Sequence, residues 1–146
     1  CDTAVHICYG YGIKANTDWK QTLGSEWRQY EAIFPKLQQS AIDMVSLECH
    51  NSRVPMELIE LIRGKKVMVG AIDVATHQIE TPEQVAETLH KALQFVDAEN
   101  LYPCTNCGMA PLPRHVAQGK LSALAQGAKL VRNDYLATHQ LDDLII

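Results

Sequence analysis

VMVGAIDVATHQIETPEQVAETLHKALQFV, residues 67–96, holds one complete strand-to-helix unit. Val67 to Asp73 is a short apolar run that reads as a strand. Thr81 then offers an N-cap, Pro82 fills the first helical position, and Gln84 stands where a capping box needs its return partner. Val85, Leu89, Ala92, Leu93 and Val96 follow at helical spacing and form one apolar face.

The same alternation extends both ways along the chain. Upstream runs are Ala4 to Tyr9 (AVHICY) and Met44 to Glu48 (MVSLE), and a weaker run leads from Leu101 into Cys104. Trp27, Tyr30, Ile33, Phe34 and Leu37 mark a helix before the second strand, with Pro35 expected to kink or restart it. Pro55 opens a further helical stretch over Val54 to Ile62. The last helix is expected from Pro113 to about Leu136, and Asn16 to Trp19 reads as a turn. The order βαβαβαβα predicts an α/β fold with a parallel sheet, whose chemistry gathers at the carboxyl ends of the strands. With no low-complexity linker and no internal repeat, residues 1–146 read as one domain unit.

The 146 residues are 47% hydrophobic, enough for a real core. Thirteen Lys and Arg stand against 17 Asp and Glu, a net charge of −4, and no basic stripe suited to nucleic acid is present. No apolar run reaches the roughly 18–20 residues of a membrane span, and the first residues lack the features of a signal peptide. A cytoplasmic protein is expected. The first residue is Cys1 rather than Met, so further protein is expected to precede it. Cysteines at positions 1, 8, 49, 104 and 107 form an odd set, which favours reduced or metal-bound thiols over a disulfide framework.

Side chains at i and i+2 on a strand share a face, so His6 and Cys8 aim at one point where the first run ends. That pair suits zinc, although a packed histidine beside an apolar cysteine gives the same pattern. Glu48 ends the second run, where a buried carboxylate needs a cation, either a metal or a side chain such as Arg53. Cys104-Thr105-Asn106-Cys107 is a Cys-x-x-Cys element, open to a zinc or a redox reading. Turn-forming Asn106 and Gly108 place Cys107 on a loop able to bend over the strand ends. The third run adds Asp73. Zinc takes this mixture of nitrogen, sulfur and oxygen, whereas magnesium and calcium prefer oxygen alone.

Val5-His6-Ile7-Cys8-Tyr9-Gly10, Val45-Ser46-Leu47-Glu48, Val69-Gly70-Ala71-Ile72-Asp73 and Asn106-Cys107-Gly108 together resemble, in order, motifs of the cobalamin-independent methionine synthases and their shorter homologues. The resemblance spans nearly the whole chain. It implies the C-terminal half of a (β/α)8 TIM-type barrel, four β/α units long, with zinc on His6, Cys8, Glu48 and Cys107. It also implies methyl transfer from methyltetrahydrofolate, or a related donor, to the zinc-activated thiol of homocysteine, giving methionine.

The full-length synthases carry Asp-x-His, the histidine serving as a proton shuttle, where this chain has Asp73-Val74-Ala75. Asp73 and nearby His77 are therefore the candidate catalytic residues. The segment between Cys8 and Glu48 is also longer here. His50, His90, His115 and His139 read as surface or packing residues.

A barrel of this type takes about 250 residues and eight strands. Four strands alone leave an inner face and two edges open, so the missing N-terminal half, or a second copy, is an expected partner. The chain by itself is expected to bind zinc weakly and to transfer little methyl. Two other readings fit the motifs: a related transferase acting on coenzyme M or a corrinoid, and a non-catalytic zinc module closed by His6, Cys8, Cys104 and Cys107.

Overall fold

The computed structural model describes residues 1–142, with side chains described through residue 138. Four parallel strands form one sheet in the order β1-β2-β3-β4: Ala4–Ile7, Met44–Glu48, Lys66–Gly70 and Leu101–Cys104. Strictly sequential parallel order, each strand preceding helical structure, is the arrangement of consecutive units in a (β/α) barrel. Four of the eight units such a barrel needs are present.

The register sets Ile7 beside Leu47, Leu47 beside Val69 and Val69 beside Pro103. Val45, Leu47, Val67 and Val69, all 2% exposed or less, point into the core under the helices. The alternate positions His6, Ser46, Met68 and Tyr102 are likewise in register and share the opposite face. Among the described residues no helix covers that face, and Tyr102 on it is 38% exposed. It corresponds to the lumen of a barrel.

The third unit forms as its sequence dictates. Helix α3, Pro82–Ala92, begins with a closed capping box in which the Thr81 hydroxyl accepts the Gln84 N–H and the Gln84 side chain accepts the Thr81 N–H. Val85, Leu89 and Ala92 are buried against the sheet, each large apolar side chain contributing about 1.5–3 kcal/mol. The last helix, α4, runs Arg114–Asp142 and packs along α3. It starts one residue after the expected Pro113 and continues past Leu136. Among the described residues no helix is long and apolar enough to cross a membrane.

Other elements depart from expectation. The strands stop short: β1 ends at Ile7 rather than Tyr9, and β3 at Gly70 rather than Asp73. The stretch Asn16 to Trp19 is not a turn but the middle of a helix, α1, Lys14–Gln21. Its sequence KANTDWKQ is polar and lacks a side-chain cap, so little in it announces a helix. Tertiary contacts hold it: Trp19 stacks on Tyr9 at 5.5 Å, and the Lys20 ammonium donates to the Gly10 carbonyl at 2.7 Å.

Pro35 does restart the chain. A 3-10 turn, Gln29–Ala32, gives way to α2, Phe34–Gln38. After Pro55 the chain forms a 3-10 helix, Met56–Ile62, that buries Leu58, Ile59 and Ile62. Tyr9, Trp27, Tyr30 and Phe34 link ring to ring at about 5 Å. The long segment between β1 and β2 is thus clamped onto the end of β1.

Candidate metal centre

His6, Cys8 and Cys107 bring one ligand atom each to within 4.8 Å of one another. His6 sits on β1, Cys8 one residue past its end, and Cys107 in the loop after β4. Ser46 is the register partner of His6, and its hydroxyl lies 2.9 Å from His6 Nδ1. That contact occupies one ring nitrogen and leaves Nε2 as the free donor, the device by which a metal-binding imidazole is oriented.

The Cys8 and Cys107 sulfurs are 3.6 Å apart. A disulfide needs about 2.05 Å. Two thiolates on one tetrahedral zinc, each bonded at about 2.3 Å, lie about 3.8 Å apart. The pair therefore fits a shared cation with a small adjustment.

Cys107 is placed by a residue whose role the sequence reading understated. Asn106 is not an exposed turn residue; it is wholly buried. Its Oδ1 accepts the Cys49 N–H at 3.1 Å and its Nδ2 donates to the His50 carbonyl at 2.7 Å, which ties the loop after β4 to the end of β2. Its own N–H reaches the Ile72 carbonyl at 2.9 Å. Gly70 makes room for this wedge. A Cβ there would fall 2.5 Å from Asn106 Oδ1 and 2.6 Å from the Leu47 carbonyl oxygen.

Glu48 is 1% exposed and lies outside the three-donor group. Its Oε1 accepts the Tyr9 N–H at 2.6 Å and its Oε2 accepts the Tyr11 hydroxyl at 2.5 Å. Arg53, the side chain considered as a partner for it, instead donates to the Gly24 carbonyl. Burial and the adjacent Glu48 charge push the Tyr11 hydroxyl far above its ordinary value, so it is a donor at neutral pH.

Burial also pushes the Cys8 thiol up to about 11, with the Cys107 sulfur and the Glu48 charge adding to the rise and a Gly10 backbone contact opposing it. Cys104 rises to about 11 and Cys49 to about 12, each chiefly by burial. A reactive redox cysteine requires the opposite shift. Cys104 lies 3.8 Å from the Ser46 hydroxyl and does not join the three donors.

Asp73 lies past β3 on a loop that folds back on itself. Its Oδ1 accepts the Ala75 N–H at 2.8 Å and its Oδ2 meets Asn51 Nδ2 at 3.4 Å. The loop is anchored through Glu80, which accepts the Asp73 N–H and pairs with wholly buried Lys120 at 2.9 Å. His77 stands exposed on the same loop, apart from the three-donor group. His50 lies 3.0 Å from the Thr88 hydroxyl, and His90 lies 3.2 Å from Asp134; His115 is exposed, and the side chain of His139 lies outside the described residues.

Of two supporting residues, one was within reach of the sequence and one was not. Ser46 stands at i−2 from Glu48 and so shares its face. Tyr11 lies 37 positions from Glu48 and no local period links the two.

Residues 13–130 match the family described as cobalamin-independent synthase, catalytic domain. The chain belongs to the cobalamin-independent methionine synthase family. The matched span holds Glu48, Asp73 and Cys107, with His6 and Cys8 just ahead of it. Methionine synthase of Sulfurisphaera tokodaii is 30% identical over 132 residues, 89% of this chain and 33% of that protein. The methionine synthase of Saccharolobus islandicus strain Y.G.57.14 is 29% identical over 133 residues, 89% of this chain and 34% of that protein. The chain thus spans about a third of the length of these curated relatives.

A solved B12-independent methionine synthase from Shewanella sp. W3-18-1, in complex with selenomethionine, is 76% identical with a TM-score of 0.90. The match covers 94% of this chain and 40% of that one.

Proposed function

We propose that the complete protein moves a methyl group to the thiol of homocysteine, giving methionine, with His6, Cys8, Cys107 and Glu48 as zinc ligands. The observation that carries this reading is the convergence of one imidazole nitrogen and two sulfurs 3.6 Å apart at the strand ends. Glu48, adjoining and buried, supplies the fourth donor. Bound zinc would hold the substrate sulfur as thiolate, the nucleophilic form, at a pH where a free thiol is mostly protonated.

The protein's own groups divide the remaining work. Ser46 orients His6, and Asn106 holds the Cys107 loop. As the new C–S bond forms, the methyl–nitrogen bond of a methylated folate or related donor breaks, and the departing nitrogen needs a proton. Asp73 and His77, on the loop after β3, are the groups assigned to that proton. The position two residues after Asp73 is Ala75, so the shuttle role falls to His77, two positions further along the same loop.

The relatives named methionine synthase favour homocysteine over coenzyme M or a corrinoid as the partner. The complex of a 76% identical relative with selenomethionine, a close analogue of the product, supports the same choice. Cys104, turned toward Ser46, argues against a closed structural zinc site. The family's metabolic chemistry accords with a cytoplasmic enzyme.

Zinc X-ray absorption on the complete protein, with and without homocysteine, tests the proposal. A shell of two sulfurs that gains a third on adding homocysteine is expected. An unchanged shell would overturn thiol activation.

A further inference from the structure

Three donors converge at the strand ends, yet zinc in such sites takes four ligands. The nearest carboxylate, Glu48, is engaged elsewhere: both its oxygens carry short hydrogen bonds, from the Tyr9 N–H and the Tyr11 hydroxyl. The Tyr9 N–H belongs to the residue next to Cys8 and moves only with it. Tyr11 is different, because it stands on a loop built to present its hydroxyl to Glu48.

Gly10 and Gly12, with φ of +79° and +76°, turn the chain back on either side of it. A Cβ at Gly10 would fall 2.3 Å from the Asn16 side chain, so α1 packs directly on this turn. From α1 the Lys20 ammonium sits 4.5 Å above the Tyr11 ring while it holds the Gly10 carbonyl. The ring is therefore fixed from above and the hydroxyl is aimed at Glu48.

We infer that Tyr11 is a positioning residue that gives the Glu48 carboxylate a second place to rest, so that the fourth metal position can pass to a substrate thiol. This rests on the zinc reading above. In the exchange a carboxylate–metal bond breaks and a thiolate–metal bond forms. One anion replaces another, and the proton of the incoming thiol goes to solvent. Without the Tyr11 hydroxyl, the departing carboxylate would be buried with one backbone donor, which disfavours its departure.

The test uses the complete zinc-loaded protein, with homocysteine affinity read by calorimetry and the metal shell by X-ray absorption. The variant Tyr11→Phe keeps the ring that Lys20 covers. It is expected to bind zinc at least as tightly as the wild type and homocysteine about ten- to a hundredfold more weakly, the loss that follows from removing one hydrogen bond to a charged group. At a thiol concentration that converts the wild type, the Tyr11→Phe shell should keep its oxygen ligand.

Glu48→Gln supplies the control, since an amide is a poor zinc ligand. Adding Tyr11→Phe to Glu48→Gln should cost little further thiol affinity. Wild-type homocysteine affinity in Tyr11→Phe would overturn the inference, and so would a penalty that persists in full beside Glu48→Gln. A wild-type protein that takes up no zinc would instead remove the zinc reading on which it stands.

Discussion

Asn106 bonds with its side chain to two backbone groups at the end of β2, the Cys49 N–H and the His50 carbonyl. Both contacts are lost in Asn106→Ala; the Cys49 N–H keeps the Gly70 carbonyl at 3.2 Å, whereas the His50 carbonyl loses its Nδ2 donor, at a cost of about 1–3 kcal/mol. Because Cys107 is the next residue, the loss should appear twice. Thermal denaturation of the complete protein should shift to lower temperature, and competition with a chelator should show zinc held about ten- to a hundredfold more weakly, the usual effect of disturbing a group that supports a ligand. Unchanged zinc affinity would mean that the loop is held by something else.

Part of the candidate site was legible at this scale. The convergence of His6 and Cys8 follows from strand alternation, while Glu48 entered as a ligand through the resemblance and lies outside the three donors that converge. The choice of Cys107 over Cys104 was not legible from spacing, because it depends on a buried asparagine that bends the loop. Nor was the hold of Tyr11 on Glu48, a contact made across 37 positions of chain.

At the scale of elements, strand entry is tied as deliberately as strand exit. Asp43, just before β2, accepts the Thr3 N–H at 2.7 Å and the Thr3 hydroxyl at 2.9 Å, joining the start of β1 to the start of β2. Those donors, with smaller help from Lys66 and Lys65, hold the Asp43 carboxyl below its ordinary value of 3.8. A carboxyl lowered by folding contributes stability above its unfolded value, and loses it as pH falls through the folded one. Asp43→Asn should therefore lower the urea midpoint near neutral pH, and the gap from the wild type should close as pH drops below about 4. A gap of constant size would exclude this linkage.

Elements were readable where local chemistry was complete. The capping box of α3 is an example. The helix α1 was missed because its polar residues carry no cap, and contacts with Tyr9 and Gly10 decide its conformation. The segment after Pro55 kept helical spacing but closed as a 3-10 helix.

For the whole molecule, the decisive feature is the sheet face bearing His6, Ser46, Met68 and Tyr102. Helices cover the other face, where Val45, Leu47, Val67 and Val69 are buried, but among the described residues none packs over this one. β1 and β4 each end the sheet, so each presents an outer edge with no strand paired to it among the described residues. Unpaired edges of this kind template association with other chains, and a half-covered sheet gains little stability by itself. Alternation gave four strand–helix units, and the family resemblance made them part of a barrel that needs eight to close.

Two proteins separate the contribution of closure from that of the ligands: the 146-residue chain alone and the complete protein. The isolated chain should sediment as mixed oligomers, bind a fluorescent apolar dye, and hold zinc more weakly than the complete protein, because His6 lies on the open face. Supplying the missing units as a separate polypeptide should suppress dye binding, return a single heterodimeric species and raise zinc affinity together. A monomeric isolated chain with full zinc affinity and no dye binding would show that the four units satisfy their own edges, and would place the whole metal site within this chain.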